Sequence, residues 1–452
     1  MRLYAQDVDD EDAQRRAFAM DSLRTTSDQI VRLADLLYNK EEVDIDSLTF
    51  FVPNCLFEAA RVQQDLWKET AELKYKNGID SLKRVLREHG KRWRLAGWYE
   101  TMTRSSAIMA NLVLVIGGTG AQGFEVVKAL LGSDKPFSVR VLSRDPASPR
   151  TKEKFEGFSV EIVKGSFTDQ EAVSSALQGY YGVYVNTDGF SVNEANELAA
   201  AVGIYEVAAR TLGLRHFVWS GTDYLLKLSG FNPRYAAHHA NAKARFSDYL
   251  RSQPSDFSLG HLAWTIYNPP AYTDMLQSGM FQPQIAPDGT RIFAFPVKPT
   301  ARIPFITIRD IGAFALKIFL DPAAWSGKTL YPGSHYATGP EIAETFTQVT
   351  GLPAQFLSLE TEQWKQALGA RGTAPLVGGH DDGITMGENF AMTWVAWGED
   401  VFVQRDFNAL RKIHPGLESL EGWMRRTGYD GTEKPFLKLL VDKAEAAKGS
   451  DK

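Results

Sequence analysis

The sequence predicts a doubly wound parallel α/β sheet, preceded by an N-terminal helical segment and followed by a smaller α/β cap. From Asn111 onward, short apolar stretches typical of buried strands alternate with helical stretches, and the connections between them are short. This alternation is typical of parallel sheets whose helices cover both faces. Before Asn111 the chain has only three glycines, and its apolar residues recur at helical spacing. We therefore expect a helical extension, 1–110, a sheet domain, 111–270, and a cap region with interleaved elements, 271–452.

The N-terminal extension is expected to contain three helices. Their apolar stripes are Leu23, Ile30, Leu33 and Leu36–Leu37 in the first, Phe57, Ala60, Val62, Leu66 and Leu73 in the second, and Ile79, Leu82, Leu86 and Trp93 in the third. Basic residues concentrate between Lys83 and Arg94. They could form a nucleic-acid or phosphate patch, but we interpret them as the solvated face of a helix, because charge runs on helices usually face water.

The predicted sheet begins with five strands. In chain order they cover 112–117, 138–144, 160–165, 181–187 and 216–221. Helices are expected between them, the longest at 195–214, because apolar residues there recur every three or four positions. After Pro269, proline and glycine become frequent and the pattern loosens, until helices return at 339–351 and 417–428.

Composition excludes several classes of protein. The 452 residues are 44% hydrophobic and 23% charged with a net charge of -5, which excludes wholesale disorder and general polyanion binding. Cys55 is the single cysteine, which excludes a disulfide framework, a CxxC zinc module and a cluster with several cysteine ligands. No stretch approaches about 18 apolar residues and no apolar leader begins the chain, so we expect no membrane association and a cytoplasmic or nuclear location.

The glycine-rich turn after the first strand is the strongest functional signal. Gly117, Gly120 and Gly123 stand at GxxGxxG spacing between an apolar strand and a helix. Gly117 allows a tight turn, Gly120 lets the backbone approach a pyrophosphate, and Gly123 lets the helix lie close to the strand. The amide groups of the first helical turn would then face the phosphates, aided by the helix dipole. The predicted dinucleotide loop consists of Gly117, Gly118, Thr119, Gly120, Ala121, Gln122 and Gly123.

The end of the second strand decides the nucleotide. An acidic residue there would accept a hydrogen bond from the ribose 2′-hydroxyl of NAD, whereas this strand ends in Ser143 and Arg144. The guanidinium of Arg144 can bind a 2′-phosphate through charge-assisted hydrogen bonds. Alternatively, Arg144 is an ordinary surface residue and Asp145 contacts the ribose. We predict NADP, with NAD as the less favoured cofactor.

These motifs resemble those of the NmrA-like family of atypical short-chain dehydrogenases/reductases over residues 111–440. The resemblance rests on GGTGAQG at Gly117–Gly123, LSRDP at Leu142–Pro146, HHANAKARFSDYLRS at His238–Ser252 and IRDIGAFALKIFLDP at Ile308–Pro322. It implies a Rossmann-like fold that binds NADP or NAD, with Arg144 facing the 2′-phosphate. It also implies that Asn186 and Thr187, at the end of the fourth strand, contact the cofactor.

Residues 1–110 resemble a different family. The stretches FFVPNCLFEAARVQQDLW and SLKRVLREHGKRWRLAGWY are similar to the C-terminal tail of a fungal zinc-cluster transcription factor, but the six-cysteine DNA-binding module of that family is absent. This resemblance implies a fungal source and a fused gene product, without direct nucleic-acid binding. A protein partner could instead contact these helices.

A histidine and a lysine stand where short-chain reductases carry a Tyr-x-x-x-Lys pair. The four-residue spacing puts both side chains on one helix face, where the lysine lowers the pKa of the tyrosine. Here Lys243 is present and His239 occupies the tyrosine position, which resembles the HxxxK element of NmrA-like proteins. Lys243 could bind the nicotinamide ribose or donate a proton, and His239 could act as acid or base. Alternatively, both are polar residues of an exposed helix face.

Ser220 and a histidine–aspartate run complete the candidate residues. Ser220 ends the fifth strand, where reductases place an active-site serine or threonine, although it could instead cap a helix or turn. His380, Asp381 and Asp382 could suggest a metal site. Adjacent residues on a loop make a poor ligand set, however, and we predict no metal.

Two functions remain open. The first is an NADP-dependent oxidoreductase that passes hydride to a small carbonyl, enone or imine substrate in fungal secondary metabolism. The second is a non-catalytic sensor of NADP or NAD, of nitrogen-metabolite or redox type, whose affinity for a partner follows the nucleotide. A dinucleotide motif does not separate them, because function depends on the chemistry of a site and not on the fold. The enzyme is favoured, since Lys243, Ser220 and the glycine loop could converge.

Overall fold

In the computed structural model, the chain divides into two units, Met1–Ala110 and Asn111–Lys452. The structure describes residues 21–35, 51–90, 112–135, 137–211, 213–256, 262–377 and 383–434.

The first unit contains the three expected helices. They are α1 (residues 21–35), α2 (Phe51–Thr70) and α3 (Leu73–Gly90). Leu73, which the periodicity assigns to the second helix, begins the third, because Ala71 adopts a positive φ of 56° and interrupts the chain of helical residues. Apolar residues of all three helices form a small core, and Gln63 Nε2 donates to Ser27 Oγ at 2.6 Å inside it. Trp93 lies outside the described residues.

The second unit alternates strands and helices. Its strands are β1 (Leu112–Ile116), β2 (Ser138–Ser143), β3 (Val160–Lys164), β4 (Gly182–Val185), β5 (His216–Ser220), β6 (Ala263–Tyr267), β7 (Ala271–Tyr272), β8 (Gln284–Ile285), β9 (Arg291–Phe295), β10 (Ile303–Ile306), β11 (Lys328–Leu330), β12 (His335–Ala337) and β13 (Ala354–Ser358). Its helices are α4 (Ala121–Leu131), α5 (Pro149–Lys154), α6 (Gln170–Leu177), α7 (Glu194–Arg210), α8 (Leu225–Leu228), α9 (His238–Arg251), α10 (Ile308–Leu320), α11 (Pro322–Trp325), α12 (Gly339–Thr350), α13 (Thr361–Ala367), α14 (Ala370–Thr373), α15 (Met386–Gly398), α16 (Phe407–Ile413) and α17 (Leu420–Thr427). The five strands expected from the sequence are all present.

The main sheet has the order β11-β6-β5-β4-β1-β2-β3, and every neighbouring pair in it is parallel. This confirms the doubly wound parallel sheet. The strand order reverses between β1 and β4. In sheets of this kind, ligands bind outside the carboxyl ends of the strands at that reversal.

Buried side chains on the two sides of the sheet form separate cores. Val113, Val115 and Val218 face the side that α4 and α10 cover. Phe217 and Trp219, which alternate with Val218 along β5, face the side that α7 and α9 cover. The sheet is therefore buried on both faces, and only the ends of its strands are left for a site.

The cap contains two further three-stranded sheets, of order β12-β10-β7 and β13-β9-β8. Aromatic residues of β9, α15 and α17 fill its core, including Phe293, Phe295, Trp394 and Trp423. Helix α10 and strand β11 come from the same part of the chain but pack with the main sheet. Within the described ranges, no helix is long and apolar enough to cross a membrane.

Candidate active site

The turn between β1 and α4 requires a glycine at Gly117. Its φ is 84°, a left-handed conformation that L residues rarely adopt. A Cβ atom there would lie 2.3 Å from the backbone carbonyl oxygen of Asn186, directly after β4. Asn186 also donates its backbone N–H to the carbonyl oxygen of Ile116 at 3.1 Å. The glycine turn and the end of β4 are therefore packed backbone against backbone, at the point where the strand order reverses.

Gly120 and Gly123 have opposite surroundings. A Cβ atom on Gly123 would lie 2.3 Å from the carbonyl oxygen of Gly117, because the first turn of α4 packs directly on the loop. A Cβ atom on Gly120 would meet only that same oxygen, at 3.2 Å. Gly120 is the N-cap of α4, and among the described residues no side chain makes a capping hydrogen bond to the first turn. The open side of Gly120 and these amides have the character of an anion-binding helix end.

Gln122 is turned inward, into a buried polar cluster. Its Nε2 donates to the Tyr184 hydroxyl at 2.6 Å and to Ser220 Oγ at 2.5 Å, and the Tyr272 hydroxyl donates to its Oε1 at 2.5 Å. Burial raises the pKa of Tyr184 and of Tyr272, so both phenols are protonated at neutral pH. The side chain of Gln122 thus links the glycine loop to β4, β5 and β7. Thr119 and Ala121, its neighbours in the loop, are half-buried.

Ser220 and Lys243 lie on opposite sides of the sheet. Ser220 shares the α4 side of β5 with Val218, and its hydroxyl accepts the hydrogen bond from Gln122. Trp219 points to the other side, where Lys243 Nζ lies 5.6 Å from the centre of its ring. The structure therefore joins Ser220 to the glycine loop and does not join it to Lys243.

Lys243 is bound to the end of β4 and to a buried acid. Its Nζ donates to the carbonyl oxygen of Thr187 at 2.7 Å, to Thr187 Oγ1 at 2.7 Å and to Glu197 Oε1 at 2.6 Å. Thr187 Oγ1 itself donates to the same oxygen of Glu197 at 2.6 Å. An ammonium group has three donors, so each N–H of Lys243 has an acceptor within the protein.

His239 contacts the cap instead of the end of β4. Its Nδ1 accepts a hydrogen bond from Asn389 Nδ2 at 2.7 Å, and its backbone N–H donates to Asn389 Oδ1 at 3.3 Å. The ring packs against Phe190 and Phe390, with ring centres 5.7 Å and 4.8 Å away. Burial lowers the pKa of His239 to about 4, so the ring is neutral at neutral pH. Because Nδ1 is the acceptor, the ring proton is on Nε2.

Arg144 stands free at the end of β2. It is exposed, and it makes no hydrogen bond or ion pair with any residue that the structure describes. Ser143 is buried, and its carbonyl oxygen accepts the N–H of Gly165 at 2.9 Å. Asp145 Oδ1 accepts the N–H of Ala147 at 3.2 Å. The guanidinium is thus open to a ligand, whereas the carboxylate of Asp145 already has a role in the local turn.

The comparison with protein-family models identifies the family. The model of the NmrA-like family matches residues 109–380. The chain belongs to the NmrA-like family.

Two relatives show the range of this NmrA-like chain's similarities. The NmrA-like family domain-containing oxidoreductase malD of Malbranchea aurantiaca is 29% identical over 268 residues, covering 56% of this chain and 76% of the relative. The NAD(P)H azoreductase of Xenophilus azovorans is 26% identical over 261 residues, covering 58% of this chain and 82% of the relative. Further oxidoreductases of the family come from Aspergillus species, in agreement with the fungal source that the sequence predicts.

A solved structure shows the same fold. NmrA, a negative transcriptional regulator, in complex with NADP has 18% sequence identity and a TM-score of 0.55, with coverage of 75% of this chain and 97% of NmrA. A second NmrA structure holds NAD. At this identity the likeness concerns the fold alone, and it agrees with the Rossmann-like sheet of this NmrA-like chain.

The sequence analysis missed Glu197, although this NmrA-like chain carries a signal for it. Glu197 lies on the buried stripe of α7 with Ala201, Ile204 and Ala208, at helical spacing. An acidic residue on an apolar stripe indicates a buried charge that needs a partner. The pattern therefore indicates a buried acid that is paired with a lysine or an arginine.

Two contacts of the cap had no sequence signal. Asn389 reaches His239 from α15, and Arg405 binds both carboxylate oxygens of Asp223, at 2.7 Å and 3.0 Å. Each pair is separated by about 150 residues or more along the chain, so no local pattern connects its members. The run His380, Asp381 and Asp382 lies outside the described residues, and within those described no group of three acidic, histidine or cysteine side chains could hold a metal ion.

Proposed function

We propose that this chain is an NADP-dependent NmrA-like oxidoreductase, which passes hydride to a small carbonyl, enone or imine substrate in fungal secondary metabolism. The observation that carries the proposal is the pairing of an open helix N-terminus at Gly120 with the exposed guanidinium of Arg144, which has no partner among the described residues. Both stand on the carboxyl side of the main sheet, beside the reversal of strand order. The curated relatives named as oxidoreductases support the same reading.

The residues present fit the two phosphate-bearing parts of such a cofactor. A side chain at Gly120 would fill the open space at the start of α4, and the uncapped amides there suit a pyrophosphate. Arg144 suits a 2′-phosphate, which NAD lacks. Thr187, Asn186 and Lys243 would hold the nicotinamide half. The cofactor, when bound, supplies the hydride.

The proposed roles of the catalytic candidates differ. Lys243 would contribute positive charge and a ribose contact, for which one of its N–H donors must leave Thr187 or Glu197. His239 would offer Nε2–H as a hydrogen-bond donor to a substrate carbonyl, since its Nδ1 is occupied by Asn389. Ser220 would act through Gln122, to which its hydroxyl is bound.

The test is a screen for NADPH oxidation by the full chain over a library of carbonyl, enone and imine compounds. Lys243→Ala should abolish turnover and spare part of the NADPH binding. Lys227→Ala is the matched control, because Lys227 is an exposed lysine whose partner is Asp248. The enzyme proposal would be overturned if the wild-type chain does not bind NADPH. It would also be overturned if the chain binds NADPH but none of the tested compounds leads to NADPH oxidation.

A regulator that senses NADP or NAD is the second candidate, and one observation favours it. The polar groups of Lys243 and Ser220 are both bound by protein partners, which suits a site that binds a nucleotide without proton transfer. In that case NADP binding without turnover is expected, and the protein partner would contact the N-terminal helices. This second proposal includes the resemblance of residues 1–110 to the tail of a zinc-cluster transcription factor. It also includes a cytoplasmic or nuclear location.

A further inference from the structure

The pair Lys243–Glu197 is an ion pair buried between two helices. Glu197 lies on α7 and Lys243 on α9, and their side chains are only 1% and 13% exposed. Their charged atoms are 2.6 Å apart. Buried charges persist when each has a partner, because an isolated buried charge is strongly destabilising. The carboxylate is therefore the counter-charge of the Lys243 ammonium group in this position.

The other oxygen of Glu197 is enclosed by the chain after β4. Glu197 Oε2 is buried and has no hydrogen-bond partner among the described residues. A Cβ atom on Gly189 would lie 2.4 Å from it, so only a glycine lets this loop close over the carboxylate. The position of the carboxylate is thus set from one side by Lys243 and Thr187 and from the other by the backbone at Gly189.

We propose that Glu197 is a positioning residue for Lys243: with Thr187, it fixes the ammonium group beside the end of β4, where the proposed function puts the nicotinamide half of the cofactor. The inference rests on the proposed function for the use of Lys243, but the geometry of the pair does not depend on it. Among the described residues, the groups that face Lys243 are Glu197 from α7, Thr187 after β4, Trp219 from β5 and His239 one turn earlier on α9. Glu197 is the negative one, and His239 is neutral.

Removal of the carboxylate should therefore change the reactivity of Lys243 towards acylating reagents. In Glu197→Gln the size of the side chain is kept, but the ammonium loses its counter-charge while it stays mostly buried. Both effects favour the neutral amine in the variant. The neutral amine is the reactive form. Acylation of Lys243 near neutral pH should thus become about tenfold faster or more.

The experiment measures acylation of each lysine by mass spectrometry in the full chain, between neutral pH and about pH 11. Lys227, an exposed lysine, is the reference in the same molecule, and Glu206→Gln is the matched control, because Glu206 is an exposed acid on the same helix. The pH at which acylation of Lys243 is half-maximal, its midpoint, should be lower in Glu197→Gln than in the wild type. It should be unchanged in Glu206→Gln. A purely structural role would raise the rate at every pH and leave the midpoint unchanged, which would overturn the proposal.

A second variant keeps the carboxylate and displaces it. In Gly189→Ala the new Cβ must push Glu197 away, so the midpoint for Lys243 should fall in the same direction, by less. Gly398→Ala is its control, because a Cβ there would make only ordinary contacts, at 3.7 Å or more. If Glu197→Gln does not fold, the comparison of Gly189→Ala with Gly398→Ala tests the role of Glu197 instead.

NADPH titrations of the same variants separate the two proposals. NADPH binding should weaken in Glu197→Gln as pH rises through the new midpoint, and the wild-type affinity should stay level there. A wild-type chain without NADPH affinity would overturn the proposed function, while the labelling result would still decide the role of Glu197. Identical midpoints in all variants, with normal NADPH binding, would overturn the positioning role alone.

Discussion

Substitution of Gly120 by valine separates binding from folding. The position needs no positive φ, and a Cβ atom there would meet only the carbonyl oxygen of Gly117, at 3.2 Å. The fold should therefore tolerate a side chain. The added methyl groups would instead stand over the first turn of α4, where the uncapped amides are available to a pyrophosphate.

The expected magnitudes differ for the two effects. Valine is a poorer N-cap than glycine, which should cost about 1 kcal/mol of folding free energy and lower the melting temperature by about 2–4 °C. Hydrogen bonds from amides to a charged phosphate contribute about 1.5–3 kcal/mol each. Displacing the pyrophosphate from two such amides should weaken NADPH binding by at least about 3 kcal/mol, which exceeds about a hundredfold in Kd.

The assay is calorimetric titration with NADPH, accompanied by thermal unfolding followed by circular dichroism. Gly123→Ala is the contrasting variant, because its Cβ would lie 2.3 Å from the backbone oxygen of Gly117. It should lose about 1–3 kcal/mol of stability through overpacking. If Gly120→Val melts like the wild type and binds NADPH within about tenfold of it, the loop does not hold the pyrophosphate.

Three further results are expected. Arg144→Asp should weaken NADPH binding more than about tenfold, or 1.4 kcal/mol, because a phosphate partner becomes a like charge; equal affinities in titration would contradict this. Residues 107–452 alone should fold and bind NADPH with an affinity within about threefold of that of the full chain, a difference of roughly 0.65 kcal/mol. If circular dichroism shows that this fragment is unfolded, the N-terminal helices belong to the reductase core. Burial lowers the pKa of His216 to about 3, whereas the ordinary pKa of a histidine is about 6.5. Below about pH 6.5 the unfolded state therefore binds more protons than the folded state, and the free energy of unfolding should decrease as the pH is lowered, by up to about 1.4 kcal/mol per pH unit. A His216→Gln variant whose free energy of unfolding has the same slope between about pH 6.5 and 5 would refute this.

The sheet could be predicted because its signals are local. Each of the first five strands is a short apolar stretch, buried on both faces, and every helix between them follows its own periodicity. The division between α2 and α3 was misplaced because it depends on the backbone of one residue, Ala71, and alanine is not a residue that marks a positive φ. The addition of β11 as the outermost strand beside β6 had no local signal either, since the two are far apart along the chain.

The candidate site could be predicted only where the backbone determines it. Glycine spacing indicates the conformation of Gly117 and the close packing of Gly123, because both follow from the lack of a Cβ atom. Side-chain partners did not follow from spacing. His239 and Lys243 share a helix face, as expected for four-residue spacing, but one is bound by Asn389 of the cap and the other by Glu197.

The choice between enzyme and regulator depends on which group could polarise the carbonyl oxygen of a substrate. Lys243 has its carboxylate partner at 2.6 Å, so proton loss to a substrate would leave the Glu197 carboxylate buried without its counter-charge. The hydroxyl of Ser220 is on the far side of the sheet from Lys243 and bound to Gln122. This leaves Nε2–H of His239 as the candidate hydrogen-bond donor to a substrate oxygen, on a ring that Phe190 and Phe390 hold in place. Because the ring is neutral, it would polarise the carbonyl, and the proton itself would come from water. An oxidoreductase built on this site should therefore depend on Lys243 to place the nicotinamide half of the cofactor and on His239 to donate a hydrogen bond to the substrate oxygen, whereas a regulator should tolerate replacement of His239 and still bind NADP.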